Sequence, residues 1–274
     1  MLVLVLAGWF ALGAVPSSQA SALHTPLESG FLLLYNLDFA GAHRVFLAYE
    51  KGHVGDPLGP ACEAAGLLFS EFNRLGVLES QFYDDQSFAA RKRLDPDPKV
   101  RQQFNSAITA AEKDAEARLE NHASDADALF ALTLSSGLQA DYSALIDKSN
   151  LASLRFTRVA AGWAQRLLVV DPTCYDAHLA TGFSRYIVGS MAAPLRWIVR
   201  MGGISGDKKA GISELQLTAQ HGHYLAPFAR ILLAIAYVRE KDKPRARETL
   251  TGLRAEFPAN LLFAREIGRL DAKP

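Results

Sequence analysis

The stretch LAIAYVREKDKPRARETLTGLRAEFP, from Leu233 to Pro258, decides the fold class. Helical periodicity runs over Tyr224–Lys241 and again over Lys243–Glu256. Between them, Tyr237–Asp242 reads as a link, with Lys241-Asp242 at its turn. Ala246 stands 12 residues before Pro258, and Ala160 stands the same 12 residues before Pro172. A small Ala lets two helices approach closely. Pro ends the second helix, because it lacks an N–H and crowds the preceding turn.

Outward from this pair, strand signals are scarce and helical spacing dominates. Leu27–Leu37 and Ala40–Lys51 read as a pair of helices. Gly59–Leu75 follows, with Ala61, Ala64, Leu68 and Phe72 on one face, and Leu78–Leu94 is a less periodic helix. Pro96 and Pro98 break the chain before a long polar helix over Val100–His122. Asp125 or Asp127 caps the next helix, expected to run to about Gln139. Leu151–Val170, Cys174–Val188, Gly206–His221 and Asn260–Leu270 complete the set. The expected fold is all-α, with short links making neighbours antiparallel and stacked pairs forming a compact superhelix.

These registers resemble the tetratricopeptide repeat. Aligned on Ala246, Leu233 and Ala234 take the seventh and eighth positions, Tyr237 the eleventh and Leu250 the twenty-fourth. Aligned on Ala42, Gly30 takes the eighth and Phe46 the twenty-fourth, with Asp38-Phe39 at the turn and a late Pro57. Two middle copies carry inserts. Gly182 takes the eighth position of one, and its turn is displaced by 17 residues to Gly206-Asp207, leaving an insert over Gly189–Ser205. The copy ending at Pro172 has a shorter intrusion at about Ala140–Asn150. The layout is also similar to a family of exported bacterial tetratricopeptide-like proteins, a resemblance carried by Asp125–Lys148, Asp171–Gly189 and Ser205–Ala219. It implies a periplasmic or envelope setting, and no known chemistry.

Lys+Arg and Asp+Glu are equal at 29 each, which gives no electrostatic reason to expect nucleic acid. Met1 to Val15 holds no charged side chain and is followed by the small residues of Ser17–Ala22. Residues 1–22 therefore read as a secretory signal, or as an uncleaved anchor since no Lys or Arg precedes the apolar run. Residues 23–274 form one helical-repeat domain. Cys62 and Cys174 read as two buried thiols in helices, with a disulfide chemically open after export.

No catalytic constellation or cofactor motif stands out. His221 and His223 are spaced for a helix end rather than for a metal pair. Asp84-Asp85, Asp95 and Asp97 lack the Gly and distal Glu of a calcium loop. In such superhelices the first helix of each pair lines the concave face, a lining that here includes Phe31, Leu34, Tyr35, Phe183, Tyr186, Ile187, Ile231, Ile235 and Arg239. A groove of this kind accepts an extended or apolar peptide, whereas a filled groove makes the same residues plain core. Tyr142 belongs to the Ala140–Asn150 intrusion, as a rim residue or an internal contact. Trp197 lies in the apolar insert, which offers peripheral membrane contact through 190–201 or packs back onto the core. The candidate partner-binding set is Tyr35, Tyr142, Phe183, Tyr186, Trp197 and Arg239. The expected function is a non-enzymatic protein-interaction scaffold. The rival is a carrier of an apolar small molecule or lipid.

Overall fold

A computed structural model describes residues 25–80, 94–193, 196 and 205–272, and every regular element within them is a helix. The first pair is α1 (Pro26–Tyr35) and α2 (Phe39–Gly52). Then come α3 (Leu58–Arg74), the single turn α4 (Val77–Ser80) and α5 (Pro98–Asn121). The pairs α6 (Ala126–Leu145) with α7 (Asn150–Val170) and α8 (Ala177–Ser190) with α9 (Lys208–His221) follow. The last pair is α10 (Ala226–Arg239) and α11 (Lys243–Glu256), and α12 (Leu261–Ala272) closes the order. Each helix packs on the next, and the first helices of successive pairs also touch: α1 with α3, α3 with α6, α6 with α8. The first helices thus form an inner layer and the second helices an outer one, an all-α helical superhelix. The pair α3 and α5 adds a unit that the Ala-to-Pro spacing does not mark.

Local chemistry explains the element starts. Thr25 caps α1, its hydroxyl accepting from the Glu28 N–H while the Glu28 carboxylate accepts from the Thr25 N–H. The turns of the first and last pairs match closely. Leu37 and Lys241 both take a left-handed backbone, with φ of 63° each. The next residues, Asp38 and Asp242, cap α2 and α11 with nearly equal backbone angles (φ −84°, ψ 72° and φ −89°, ψ 70°).

Small residues then set the spacing within pairs. Ala42 and Ala246 are wholly buried. A Cβ on Gly30 would fall 2.2 Å from the ring of Phe46, so α1 must be bare there for Phe46 to seat. The third example is α8 on α9, where a Cβ on Gly182 would lie 2.9 Å from the Gly211 carbonyl oxygen. Gly189 and Gly206 meet backbone to backbone, and Asp207 donates its N–H to the Arg185 carbonyl. The two ends of the insert therefore close on each other at the expected displaced turn. Burying a ring such as Phe46 contributes about 2–3 kcal/mol.

Two expectations need correction. Helix α6 does not stop near Gln139 but runs to Leu145, so most of the Ala140–Asn150 intrusion is helix. Ala140, Tyr142 and Ser143 remain buried, so the same face keeps packing through those two turns. The link to α7 is only Ile146–Ser149, turned by Lys148 at φ 56°. The second correction concerns Cys174, a half-buried residue of the α7–α8 link rather than of a helix, because α8 starts at Ala177. Cys62, in α3, is buried as expected, and both thiols are free. Residues 1–22, Asp84-Asp85 and most of Leu78–Leu94 lie outside the described residues. No described helix is long and apolar enough to cross a membrane.

Candidate functional site

The inner face is where a superhelix of this kind would hold a peptide, and here its own chain occupies it. Tyr224, in the link before α10, places its ring between Phe31 of α1 and Phe130 of α6, with centroids 5.5 and 5.8 Å away. Phe228 of α10 meets Phe69 of α3 edge-on at 5.3 Å. The Tyr35 hydroxyl donates to the Tyr224 carbonyl at 2.9 Å, and the Asn260 side-chain amide donates to the Tyr35 carbonyl at 2.9 Å. His223 Nε2 reaches Glu28 Oε1 at 2.8 Å. The C-terminal pair is thereby fastened across α1, α3 and α6. Among the described residues, the start of α10 covers the face.

Asp176 holds this closure in place. Its carboxylate accepts the backbone N–H groups of His223, Tyr224 and Leu225 at 2.8–3.1 Å. Gly222 makes room for it, since a Cβ there would fall 2.5 Å from Asp176 Oδ1. Burial pushes the Asp176 carboxyl up, and the three N–H donors oppose that rise. Burial also drives the Tyr224 phenol up to about 12.

The sequence-derived candidates divide by layer. Tyr35 is half-buried, engaged by Tyr224 and Asn260 and tilted against Phe257 at 5.4 Å. Tyr142 is 6% exposed and stacks on Phe104 at 5.1 Å, with the Arg101 guanidinium over its ring. It is a core residue of α6, not a rim residue of a loop, because the helix continues past it. Tyr186 is 3% exposed, and a Cβ on Gly211 would meet its backbone at 2.6 Å. In this conformation Tyr142 and Tyr186 offer a partner almost no ring surface. Phe183 is half-buried against Leu215, Leu233 and Tyr237. Arg239 is exposed at the end of α10. Trp197, with residues 194–195 and 198–201, lies outside the described residues. None of the described members of this set lines either of the two clefts on α5. His221 ends α9 with its ring 4.9 Å from Tyr175, while His223 meets a carboxylate rather than the expected terminal carbonyls.

The outer layer is different. A cleft of about 640 Å³ follows one stripe of α5, lined by Pro98, Arg101, Gln102, Asn105, Thr109 and Lys113, with Ser106 and Ala110 between. No carboxylate is in that lining. Arg101 is held in place by Asp147 at 2.8 Å. A second cleft of about 360 Å³ lies at the other end of α5, between Gly55, Asp114, Arg118, His122 and Asp125. There Arg118 bridges Asp125 at 2.9 Å and Asp56 at 3.5 Å, and Asp56 also accepts from the Tyr49 hydroxyl.

One acid–base pair stands apart, at the α2–α3 contact. Glu63 is 5% exposed and touches His43 Nδ1. Burial drives the Glu63 carboxyl up to about 7, with His43 opposing the shift. A single carboxyl–imidazole contact without a third group or an adjoining cleft has the geometry of an internal ion pair. Among the described residues no group of three or more His, Cys, Asp or Glu side chains is placed to hold a metal ion. The polar stripe on α5 was open to sequence reading through its 24-residue amphipathic pattern. The Tyr224 closure was not, because its partners lie far away in sequence. In comparisons with known proteins, the chain matches no family model and no curated protein sequence.

Proposed function

We propose that this chain is a tetratricopeptide-like helical-repeat protein, exported to the bacterial envelope, that serves as a non-enzymatic interaction module. The matched turns at Asp38 and Asp242 and the buried Ala42 and Ala246 support the repeat kinship. The N-terminal apolar run supports export. The binding surface is the α5 stripe rather than the inner face. The observation that carries this is the open cleft along Pro98–Lys113, whose exposed lining is mostly apolar side-chain carbon tipped by amide, hydroxyl and cationic groups and by no acid. Such a lining suits an extended peptide, whose carbonyls and carboxylates accept hydrogen bonds. An apolar carrier would need an enclosed apolar chamber, and both clefts on α5 are open to the surface.

Affinity capture from envelope extracts tests the reading. The wild-type chain is expected to retain a discrete protein partner, and Q102A/N105A/K113E to lose it while keeping its helical circular dichroism. Equal capture by both proteins, or no capture by either, would overturn the assignment to α5.

A further inference from the structure

The third helix pair presents a face that the fold leaves unused. Helix α7 contains Arg155, Arg158 and Arg166 and no acidic residue over its 21 positions. Its inward stripe is narrow: Ala160, Ala164 and Leu167 are its buried side chains. At roughly 100° per residue, Leu151, Arg155, Arg158, Val159, Arg166 and Val169 fall within an arc of about 100° on the opposite side. All six are exposed. Leu151 and Val169 are each 84% exposed, and they mark the two ends of a face ~27 Å long. Of the seven large apolar side chains exposed among the described residues, four (Leu151, Val159, Val169 and Val170) belong to this one helix.

Among the described residues, the three arginines of α7 form a group without ion pairs on one helix, whereas Arg44, Arg196 and Arg254 stand so singly elsewhere. Eight arginines elsewhere in the described chain pair with carboxylates, from Arg74 with Glu71 to Arg269 with Glu266. None of the three on α7 has a carboxylate within ion-pairing distance among the described residues. Instead Arg166 lies 4.7 Å from the ring centroid of Trp163, and Arg155 lies 5.9 Å from that of Phe156. Both rings are half-buried at the flank of the face.

We propose that the outward face of α7 is a docking surface for an anionic lipid bilayer. The charge is of one sign, the face is linear and without a cleft, and aliphatic side chains protrude between the guanidinium groups. These are the features of a helix that lies along a membrane interface, its arginines on lipid phosphates and its apolar groups among the acyl boundary. A folded protein partner would call for a central aromatic anchor, and the outward side chains of this face are arginine, leucine and valine. The face shares no residue with the α5 cleft, so substitutions in one leave the other unaltered.

The test is partition of the full chain between buffer and vesicles of phosphatidylcholine, with and without phosphatidylglycerol. Pure phosphatidylcholine reports any insertion by residues 1–22, and the increment given by phosphatidylglycerol reports α7. Each arginine near an anionic surface contributes about fivefold in partition. R155E/R158E/R166E is therefore expected to lower the phosphatidylglycerol increment on the order of 10²-fold. L151S/V169S should weaken binding to the same vesicles by a smaller factor. The control K99E/R44E/R254E, with the same change of net charge on other helices, should keep most of the increment. Three results would overturn the proposal: no preference for phosphatidylglycerol, equal losses in the two charge-reversed variants, or retention of the face by an acidic polypeptide but not by anionic vesicles.

Discussion

Helices α3 and α7 are of similar length, 17 and 21 residues, and both carry aromatic and aliphatic side chains. In α3 twelve residues are buried, including Glu63 and Glu71 with their carboxylates. In α7 three are buried, and leucine and valine stand in solvent beside unpaired arginines. The difference comes from layer, not from composition. A first helix touches neighbours on two or three sides, so even its charges must find partners: Glu71 takes both nitrogens of Arg74 and the Asp97 N–H. A second helix is held along one stripe, and its remaining surface is free to serve something outside the chain. Inner-layer residues should therefore answer to stability measurements, and outer-layer residues to binding measurements.

The strongest way to break that contrast is at Asp176. D176A leaves the His223, Tyr224 and Leu225 N–H groups, the last of them buried, without their acceptor and should cost about 3–4 kcal/mol, lowering the melting midpoint by roughly 10 °C. A midpoint within a few degrees of wild type would show that the closure around Tyr224 is not what holds the inner layer. Next in size is a matched pair of glycine substitutions. G182A pushes a Cβ to 2.8 Å from the Glu214 Cβ and 2.9 Å from the Gly211 oxygen, so α8 and α9 must separate, at about 2–3 kcal/mol. G162A, on the outward face of α7, meets nothing within 4 Å and should stabilise by about 0.5–1 kcal/mol through helix propensity. Urea titration of both variants checks the opposite signs.

Between those two in magnitude lies the pH response of Glu63. Its carboxyl is raised from the ordinary 4.5 to about 7 by burial, so between those values the folded chain binds more protons than the unfolded one. Stability from this group is therefore present at low pH and falls as pH rises through that window. E63Q removes the penalty, and its advantage in melting midpoint over wild type should grow between pH 5 and pH 8, on the order of 2 kcal/mol at the upper end. A constant difference across that range would mean that His43 neutralises the charge completely.

Local chemistry made the helices and two of the turns legible. An Asp before a helical run can accept from the first free N–H groups, and Asp38, Asp125, Asp207 and Asp242 do so, starting helices close to where the sequence places them. The end of α6 was misread because what carries it past Gln139 is tertiary packing of Tyr142 on Phe104, which no local pattern encodes. The sealed inner face was legible only as an alternative. Asp176 finds its donors 47–49 residues further on, and Tyr35 finds Tyr224 at a separation of 189 and Asn260 at 225. Aromatic spacing on α1 and α8 placed those side chains on an inner side without saying what would cover them.

That fastening of α1 to Tyr224 and Asn260 also bears on how the chain acquires its fold. An open array of helix pairs can grow from any pair, each unit stabilised by its nearest neighbours. Here the loop that joins the earliest helix to the latest must be closed against chain entropy, and its contacts form only after nearly the whole polypeptide is available. During synthesis α1 emerges before α10–α12, whose segment supplies the Tyr224, Phe257 and Asn260 contacts to Phe31 and Tyr35. The nascent chain therefore carries an exposed aromatic edge until the final stage, and folding becomes a single late cooperative event rather than a stepwise one.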